Sequence, residues 1–521
     1  HRARKGSIAE LTNDQVSVKL YNKQLNKSIF SDKKYFAIEP DFKDSGYMNT
    51  IKLMFDFLLA GPRKKELLLG VTEPVAGPLP KVEFPGLQPS QRDNVEKALA
   101  AKDYFLLQGP PGTGKTSMAL MSMIKSILAG NEFETVTILA FTNKAVKEVC
   151  KKLRESGINY LFLSASEEDP NSLKSLVKSH NIESFEGLLR GVRVITSTVA
   201  SFVKYSKDIS IPFKFNTLIV DEASQLLEPQ LAGILVNFDR YILIGDQNQL
   251  PAVTVQGDLN TRSDDDELNK IGIRDMKVSL FERMFNNAVE KGWTHAYGTL
   301  REQFRMHNDI MGLINHFYHG NLKCALALNP EQNSLFPFGD NSKLSEILIN
   351  NRLIFIETQF SKTGKMNESE AEIVSKIVVK IREISSENRD EMPDIGIITP
   401  WRAQIAAIKQ KLETEGITEL PVDTVERFQG SENKIIIYST SVTNTFQLER
   451  LGSFGNNRSV EHEVEVDRKL NVVLSRAQEQ LIILGSISVL KSSIHYRKLI
   501  ETIKEKGRFI STNERKSIFG T

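Results

Sequence analysis

Gly109-Pro110-Pro111-Gly112-Thr113-Gly114-Lys115-Thr116 sets glycines, a lysine and a hydroxyl at the spacing G-x-x-x-x-G-K-[ST]. Glycines let backbone N–H groups curl around phosphate oxygens, and a helix starting there adds the positive end of its dipole. Lys115 then reaches the β- and γ-phosphates of ATP, and the Thr116 hydroxyl suits Mg2+. Such a loop holds a nucleoside triphosphate without saying what is done with it. Hydrolysis asks for carboxylates at the end of another strand, and Thr217-Leu218-Ile219-Val220-Asp221-Glu222 supplies two. Asp221 would hold the metal through water, and Glu222 would act as general base. The next strand ends in Gly245-Asp246-Gln247-Asn248-Gln249-Leu250-Pro251. Placed beside the γ-phosphate, Gln249 would report its presence to neighbouring loops.

Two arginine motifs lie far downstream. Leu300-Arg301-Glu302-Gln303-Phe304-Arg305-Met306-His307 sets an aromatic next to Arg305, and Arg468 to Ala477 carries Arg476 at the end of a helix. A guanidinium against the γ-phosphate neutralises charge that develops in the transition state. Each arginine alone also fits a surface ion pair. Together they are expected to complete the site from a second lobe, which itself has no P-loop: Gly364-Lys365 lacks the upstream glycine and a following Ser or Thr.

The elements that must position these groups read as apolar strands alternating with helices, the pattern of parallel sheets covered on both faces. The first series is Tyr104–Leu107, Val136–Ala140, Val192–Thr196, Thr217–Val220 and Tyr241–Ile244. The second is Leu353–Glu357, Ile395–Ile398, Lys434–Tyr438 and Leu481–Leu484. This predicts an α/β protein of two similar tandem lobes, residues 87–292 and 293–521, with the boundary near Trp293–Thr299. A helix is expected over Ser117–Leu128, directly after the P-loop. Glu167–Gly187 and the acidic Gly257–Asp275 read as surface insertions. Ahead of the lobes, residues 1–45 alternate like short antiparallel strands and read as a partial β-barrel. Residues 46–86 read as a stalk helix, Met48 to Leu59, stopped by Gly61-Pro62 and followed by a linker.

Length and composition agree with a folded, multidomain chain: 521 residues, 40% hydrophobic and 25% charged. The apolar run Ile51 to Ala60 is too short to span a bilayer, so no membrane partner is expected. With only Cys150 and Cys324, a cysteine-rich zinc site is excluded, and a reducing, cytoplasmic or otherwise intracellular setting is expected. The net charge of +2 identifies no polyanion, although residues 1–35 hold eight Lys/Arg against three Asp/Glu. The opening His-Arg-Ala-Arg-Lys, without methionine, reads as that of a processed or excised fragment, with earlier barrel strands missing.

With all of these residues in order from Leu87 to Gly485, the chain resembles the superfamily 1 helicases. The similarity is to the Upf-like group, which holds the nonsense-mediated-decay RNA helicases and the Okazaki-fragment-processing nuclease-helicases, and it implies that the α/β fold is two tandem RecA-like P-loop NTPase lobes. The resemblance implies that Gln91, in Leu87-Gln88-Pro89-Ser90-Gln91, contacts the nucleotide base and that Phe304 stacks on it. It implies that Arg305 and Arg476 meet the γ-phosphate, and that Glu432, in Val422 to Glu432, faces the nucleotide. For the nucleic-acid strand it implies contacts from Thr142 and Asn143, from Thr198, from Thr399-Pro400-Trp401, and from Thr424. Small hydroxyl and amide groups at sheet edges can hold phosphates without reading sequence. Trp401 fits a stacking face and packing at a strand end about equally.

Phe304 replaces a commoner tyrosine, Ala252 a proline and Gln478 an arginine; no catalytic group is lost. The reading is an ATP- and Mg2+-dependent, monomeric motor on single-stranded DNA or RNA, with 5′-to-3′ polarity implied by the family alone. Its rivals are a strand-stimulated NTPase switch without processive unwinding and a small-molecule phosphotransferase.

Overall fold

The computed structural model describes residues 6–11, 15–20, 45–80, 85–164, 166–179, 182–209, 215–254, 261–325, 336, 339–359, 364–385, 394–458 and 463–520. The chain divides into two compact units, His1–Lys52 and Leu53–Thr521. In the first, β1 (Gly6–Leu11) and β2 (Val16–Leu20) pair antiparallel, with an irregular register between Ile8 and Glu10. The remainder of the expected barrel lies outside the described residues.

The stalk is longer than the sequence reading allowed. Helix Ser45–Leu59 is followed at once by helix Pro62–Leu69. Pro62 both stops the first and opens the second, because a proline at the first helical position gives up an N–H that would have no helical partner. Gly70, at φ 71°, then ends the second helix in the left-handed conformation glycine adopts without penalty.

The larger unit holds two sheets of parallel strands. The first runs in the order β5-β6-β4-β7-β8-β3-β9. Its members are β3 (Tyr104–Gln108), β4 (Val136–Ala140), β5 (Leu161–Leu163), β6 (Val194–Thr198), β7 (Thr217–Asp221), β8 (Arg240–Gly245) and β9 (Tyr297–Thr299). Alternate residues of each strand enter opposite cores. Tyr104, Leu106, Leu218, Val220 and Leu243 face one side, and Phe105, Leu107, Ile219, Ile242 and Ile244 the other. Burial on both faces explains why these strands read as unbroken apolar runs.

The second sheet orders as β14-β13-β15-β18-β12-β19, where β12 is Leu353–Glu357, β13 Ile395–Ile398, β14 Val422–Asp423, β15 Asn433–Ser439, β18 Ala477–Gly485 and β19 Arg508–Ile510. It too is buried on both faces. A short parallel pair, β10 (Glu302–Gln303) with β11 (Lys323–Cys324), and an antiparallel ribbon, β16 (Phe454–Arg458) with β17 (Glu463–Asp467), accompany it.

Tyr297–Thr299, inside the expected boundary segment, pairs with β3, so the first sheet takes its last strand from there. Leu176 is buried in the first lobe's core, so Glu167–Gly187 is not wholly a surface insertion. Among the described residues no helix is long and apolar enough to cross a membrane.

Candidate nucleotide site

The P-loop leaves β3, and Asp221 and Gly245 end β7 and β8. Because β7, β8 and β3 are adjacent and parallel, all three segments emerge at one edge of the sheet. That carboxyl edge is where open α/β sheets bind ligands. Gly112 and Gly114 sit at φ 75° and 70°, conformations that favour glycine. Thr113 folds back, donating through both its N–H and its hydroxyl to the Pro110 carbonyl at 3.3 and 2.7 Å. Gly109 N–H donates to the Gly245 carbonyl at 2.8 Å, tying the loop to its neighbour strand. Pro111 is buried with it.

The helix after the loop does not start as a regular α-helix. Lys115–Leu120 forms a wide π-type turn before α-helix Met121–Gly130, an irregularity common at functional sites. It points Lys115 and Thr116 at the carboxylates of β7. Lys115 Nζ lies 2.9 Å from Glu222 Oε1, and Thr116 Oγ1 donates to Asp221 Oδ2 at 2.8 Å. Burial opposes the charge on Lys115, but Glu222, Asp221 and Asp246 outweigh it and hold the ammonium above its ordinary range. For Glu222, burial is overcome by Lys115, Gln225 and Arg476, which keep it ionised. Asp221 moves the other way, raised by burial and then by Glu222. A hydroxyl and a buried carboxylate within hydrogen-bond reach of one another form an oxygen donor pair suited to Mg2+. Glu222 holds φ 55° without being glycine, one of three such residues among those described. Non-glycine residues adopt that conformation at a cost that active sites often bear.

The second lobe closes the site. Arg476 is 2% exposed. Its Nη2 donates to Gln249 Oε1 at 3.3 Å, its Nη1 to the Ser431 carbonyl at 3.0 Å and its Nε to the Val472 carbonyl at 3.1 Å. Burial and the nearby Arg305 push its pKa down to about 9, so it stays charged at neutral pH. Arg305 pairs with Glu432, whose other oxygen accepts from Gln478 Nε2 at 3.0 Å. The two guanidiniums lie near enough for Arg305 to oppose the charge on Arg476, and together they make a strong site for a polyanion. Gln249 also donates through Nε2 to Asp246 Oδ2 at 2.7 Å, so it touches both lobes.

Gln91 and Phe304, the residues implied to meet the base, both touch the P-loop. Gln91 is fully buried: its Oε1 accepts from Gln88 N–H at 3.0 Å and its Nε2 donates to the Thr113 carbonyl at 2.9 Å. In this arrangement it braces the P-loop. Phe304 is 39% exposed, and its N–H donates to the Gly112 carbonyl at 2.8 Å, which docks the segment onto the P-loop and leaves the ring open.

The expected strand contacts are unequal. Thr142 and Asn143 are exposed at the start of helix Asn143–Glu155, with Thr142 Oγ1 capping Ala145 N–H. Thr198 is buried, its hydroxyl accepting from Ser201 N–H. Thr399 is fully buried, and among the described residues its hydroxyl makes no hydrogen bond. Both follow or end sheet strands whose last side chain turns into the core, so neither hydroxyl is offered to a strand here. Pro400 and Thr424 are half-buried. Trp401 packs against the second lobe's core, with Lys365 Nζ 5.1 Å above its ring, which favours packing over an open stacking face.

Sequence reasoning missed a set of residues that join the lobes. Tyr318 OH donates to Asp246 Oδ2 at 2.7 Å, and Asn471 Nδ2 donates to Tyr318 OH at 2.8 Å and to the Asn248 carbonyl at 2.7 Å. Arg468 Nη2 and Glu282 Oε1 form a buried ion pair at 2.7 Å. Nothing local in His316-Phe317-Tyr318 or in Ser279 to Arg283 signals a partner in the other lobe.

These sheets and this cleft define a two-lobed α/β protein with a P-loop in its first lobe and two arginines of its second lobe beside it. Two family models, each described as an AAA domain, match residues 91–255 and 276–488. These models, and the relatives that match, support the chain's likeness to the Upf-like group of superfamily 1 helicases. Its relatives include the DNA replication ATP-dependent helicase/nuclease DNA2 of Bos taurus, 29% identical over 467 residues, covering 83% of this chain and 40% of that protein. DNA2 of Mus musculus is 30% identical over 437 residues, 78% of this chain and 38% of that protein. JHS1 of Arabidopsis thaliana is 27% identical over 437 residues, 82% of this chain and 30% of that protein. The chain thus spans less than half the length of these relatives. Among solved structures, an Arterivirus nonstructural protein 10 (helicase) with DNA aligns at a TM-score of 0.37 and 14% identity, over 77% of this chain and 65% of that one.

Proposed function

We propose that the chain is an ATP-dependent translocase and helicase on single-stranded nucleic acid. ATP would be hydrolysed between its two lobes. The observation that carries this is Arg476, a buried cation from the second lobe bonded to Gln249 of the first, on the edge where Lys115 and Glu222 meet. In this reading Lys115 and the P-loop backbone bind the triphosphate, and Arg305 and Arg476 meet the charge that develops on the γ-phosphate in the transition state. Glu222, held ionised, orients and deprotonates the attacking water. Thr116 and Asp221 would hold Mg2+, which when bound would supply charge neutralisation to the triphosphate. Because the cations come from both lobes, nucleotide binding draws the lobes together and product release lets them part, which moves a strand gripped by Thr142, Asn143 and the second lobe's edge. The relatives' names point to DNA. Polarity of 5′-to-3′, a monomeric state, and base contact by Gln91 and Phe304 follow from the family. The burial of Thr198 and Thr399 favours a second reading, an NTPase stimulated by nucleic acid that remodels complexes without processive unwinding.

Steady-state ATPase with and without matched single-stranded DNA and RNA tests the proposal, followed by unwinding of duplexes carrying a 5′ or a 3′ tail. Strong stimulation with tail-dependent unwinding is expected. Stimulation without unwinding selects the second reading, and no stimulation by either strand sinks both.

A further inference from the structure

The groups that link the lobes form a continuous chain of hydrogen bonds. Asn471 donates to Tyr318 OH, and Tyr318 donates to Asp246 Oδ2. The same carboxylate oxygen accepts from Gln249 Nε2, and Gln249 Oε1 accepts from Arg476 Nη2. The path ends five residues from where it began, because Asn471 lies on helix Arg468–Leu474, which delivers Arg476. Asp246 and Gln249 belong to the first lobe, and the other members to the second. All five side chains are buried: Asn471 and Asp246 are 0% exposed, Arg476 2%, Tyr318 3% and Gln249 5%. With water excluded, each bond fixes the next, since a buried polar group has no solvent alternative.

We propose that the Tyr318 hydroxyl is a positioning group for hydrolysis. By orienting Asp246 it sets the rotamer of Gln249, and through Gln249 it sets the place of the Arg476 guanidinium. This rests on the reading of Arg476 as the group that meets the γ-phosphate. Two observations separate the role from plain packing. The Tyr318 ring is part of the second lobe's apolar cluster, which a phenylalanine would preserve. Removing the hydroxyl also leaves Asn471 with the Asn248 carbonyl and Asp246 with Gln249 and the Asn248 N–H, so neither is stranded. Only the cross-lobe orientation of Asp246 is lost. Nucleotide binding, which draws on Lys115 and the P-loop backbone, does not depend on it.

The experiment compares the full chain with Tyr318→Phe and Gln249→Ala, singly and together. It measures fluorescent ATP-analogue affinity, kcat and KM for ATP with and without single-stranded oligonucleotide, and melting temperature. Tyr318→Phe should leave Kd and KM within about twofold and lower kcat roughly ten- to a hundredfold, the penalty for a catalytic group slightly misplaced. Gln249→Ala should lower kcat as well, and the double variant should be little worse than Gln249→Ala alone, because the two act in series. Wild-type kcat in Tyr318→Phe, or losses that multiply in the double variant, would overturn the proposal. Should Tyr318→Phe fold poorly, Asn471→Ala cuts the other bond to the same hydroxyl and is judged by the same kcat-against-KM split. Wild-type turnover indifferent to the strand would defeat the motor reading instead, while the kcat comparison still decides the role of Tyr318.

Discussion

Replacing Arg476 with alanine separates catalysis from stability, because the structure gives the two effects different sizes and different causes. The guanidinium donates to the Ser431 and Val472 carbonyls, to Gln249 and to Ser475 Oγ. Each such bond contributes on the order of 1 kcal/mol net. Against that stands the cost of a buried cation beside Arg305, which is why its pKa falls to about 9. A base whose folded pKa is depressed favours the unfolded chain at every pH below that value. Truncation therefore relieves roughly as much strain as it creates, and the melting temperature should move by only a few degrees. Hydrolysis is another matter. An arginine facing the γ-phosphate contributes about 10³-fold or more to kcat, or about 4 kcal/mol at 1.36 kcal/mol per tenfold. Coupled ATPase, a fluorescent-nucleotide titration and a thermal melt, read together, should show kcat reduced at least about 10³-fold with Kd changed little. A variant that hydrolyses ATP at the wild-type rate would refute the reasoning, as would one whose lost turnover is matched by lost folding.

Lys115→Ala should abolish ATP turnover, and retained turnover would remove the P-loop from the mechanism. Gly112→Ala should weaken nucleotide binding at least about tenfold by titration. At φ 75° the new Cβ would lie 2.6 Å from Arg305 Cβ and 3.1 Å from its nitrogen, and an unchanged Kd would mean the loop is not held against that segment. Arg468→Met should destabilise by about 3–5 kcal/mol by leaving the Glu282 carboxylate buried and alone, and adding Glu282→Leu should recover most of the loss; thermal melts showing additive losses would contradict this. Glu370, fully buried, is raised by that burial from 4.5 to about 7. The folded state then binds more protons than the unfolded between those values, so stability should fall by about 3 kcal/mol as pH rises through the window and level off above it. Glu370→Gln should lack that slope in melts across pH, and an unchanged slope would clear Glu370.

Much of the fold was legible because the strands are buried on both faces. Val136–Ala140, Leu353–Glu357 and Ile395–Ile398 are continuous apolar runs, and each appears with those bounds. Leu161–Leu163 and Arg508–Ile510 were missed because they are edge strands of three residues, too short to show a period. Tyr297–Thr299 is half-buried and read as a junction rather than a strand. In the site, Lys115, Thr116, Asp221 and Glu222 were legible because phosphate and metal chemistry fixes their spacing close to strand ends. Tyr318, and the pairing of Glu282 with Arg468, were not, because their partners are remote in sequence and only the closure of the lobes brings them together. Thr198 and Thr399, expected on the path of the strand, are both buried. Motif position names a residue but does not say which way the last side chain of a strand turns.

The central claim is that both lobes enclose one triphosphate, and a crystal structure with a non-hydrolysable ATP analogue and Mg2+ tests it most directly. The account predicts the γ-phosphate within hydrogen-bond reach of Lys115, Gln249, Arg305 and Arg476 at once. An analogue bound by the P-loop alone, with both arginines turned away from it, would contradict the account.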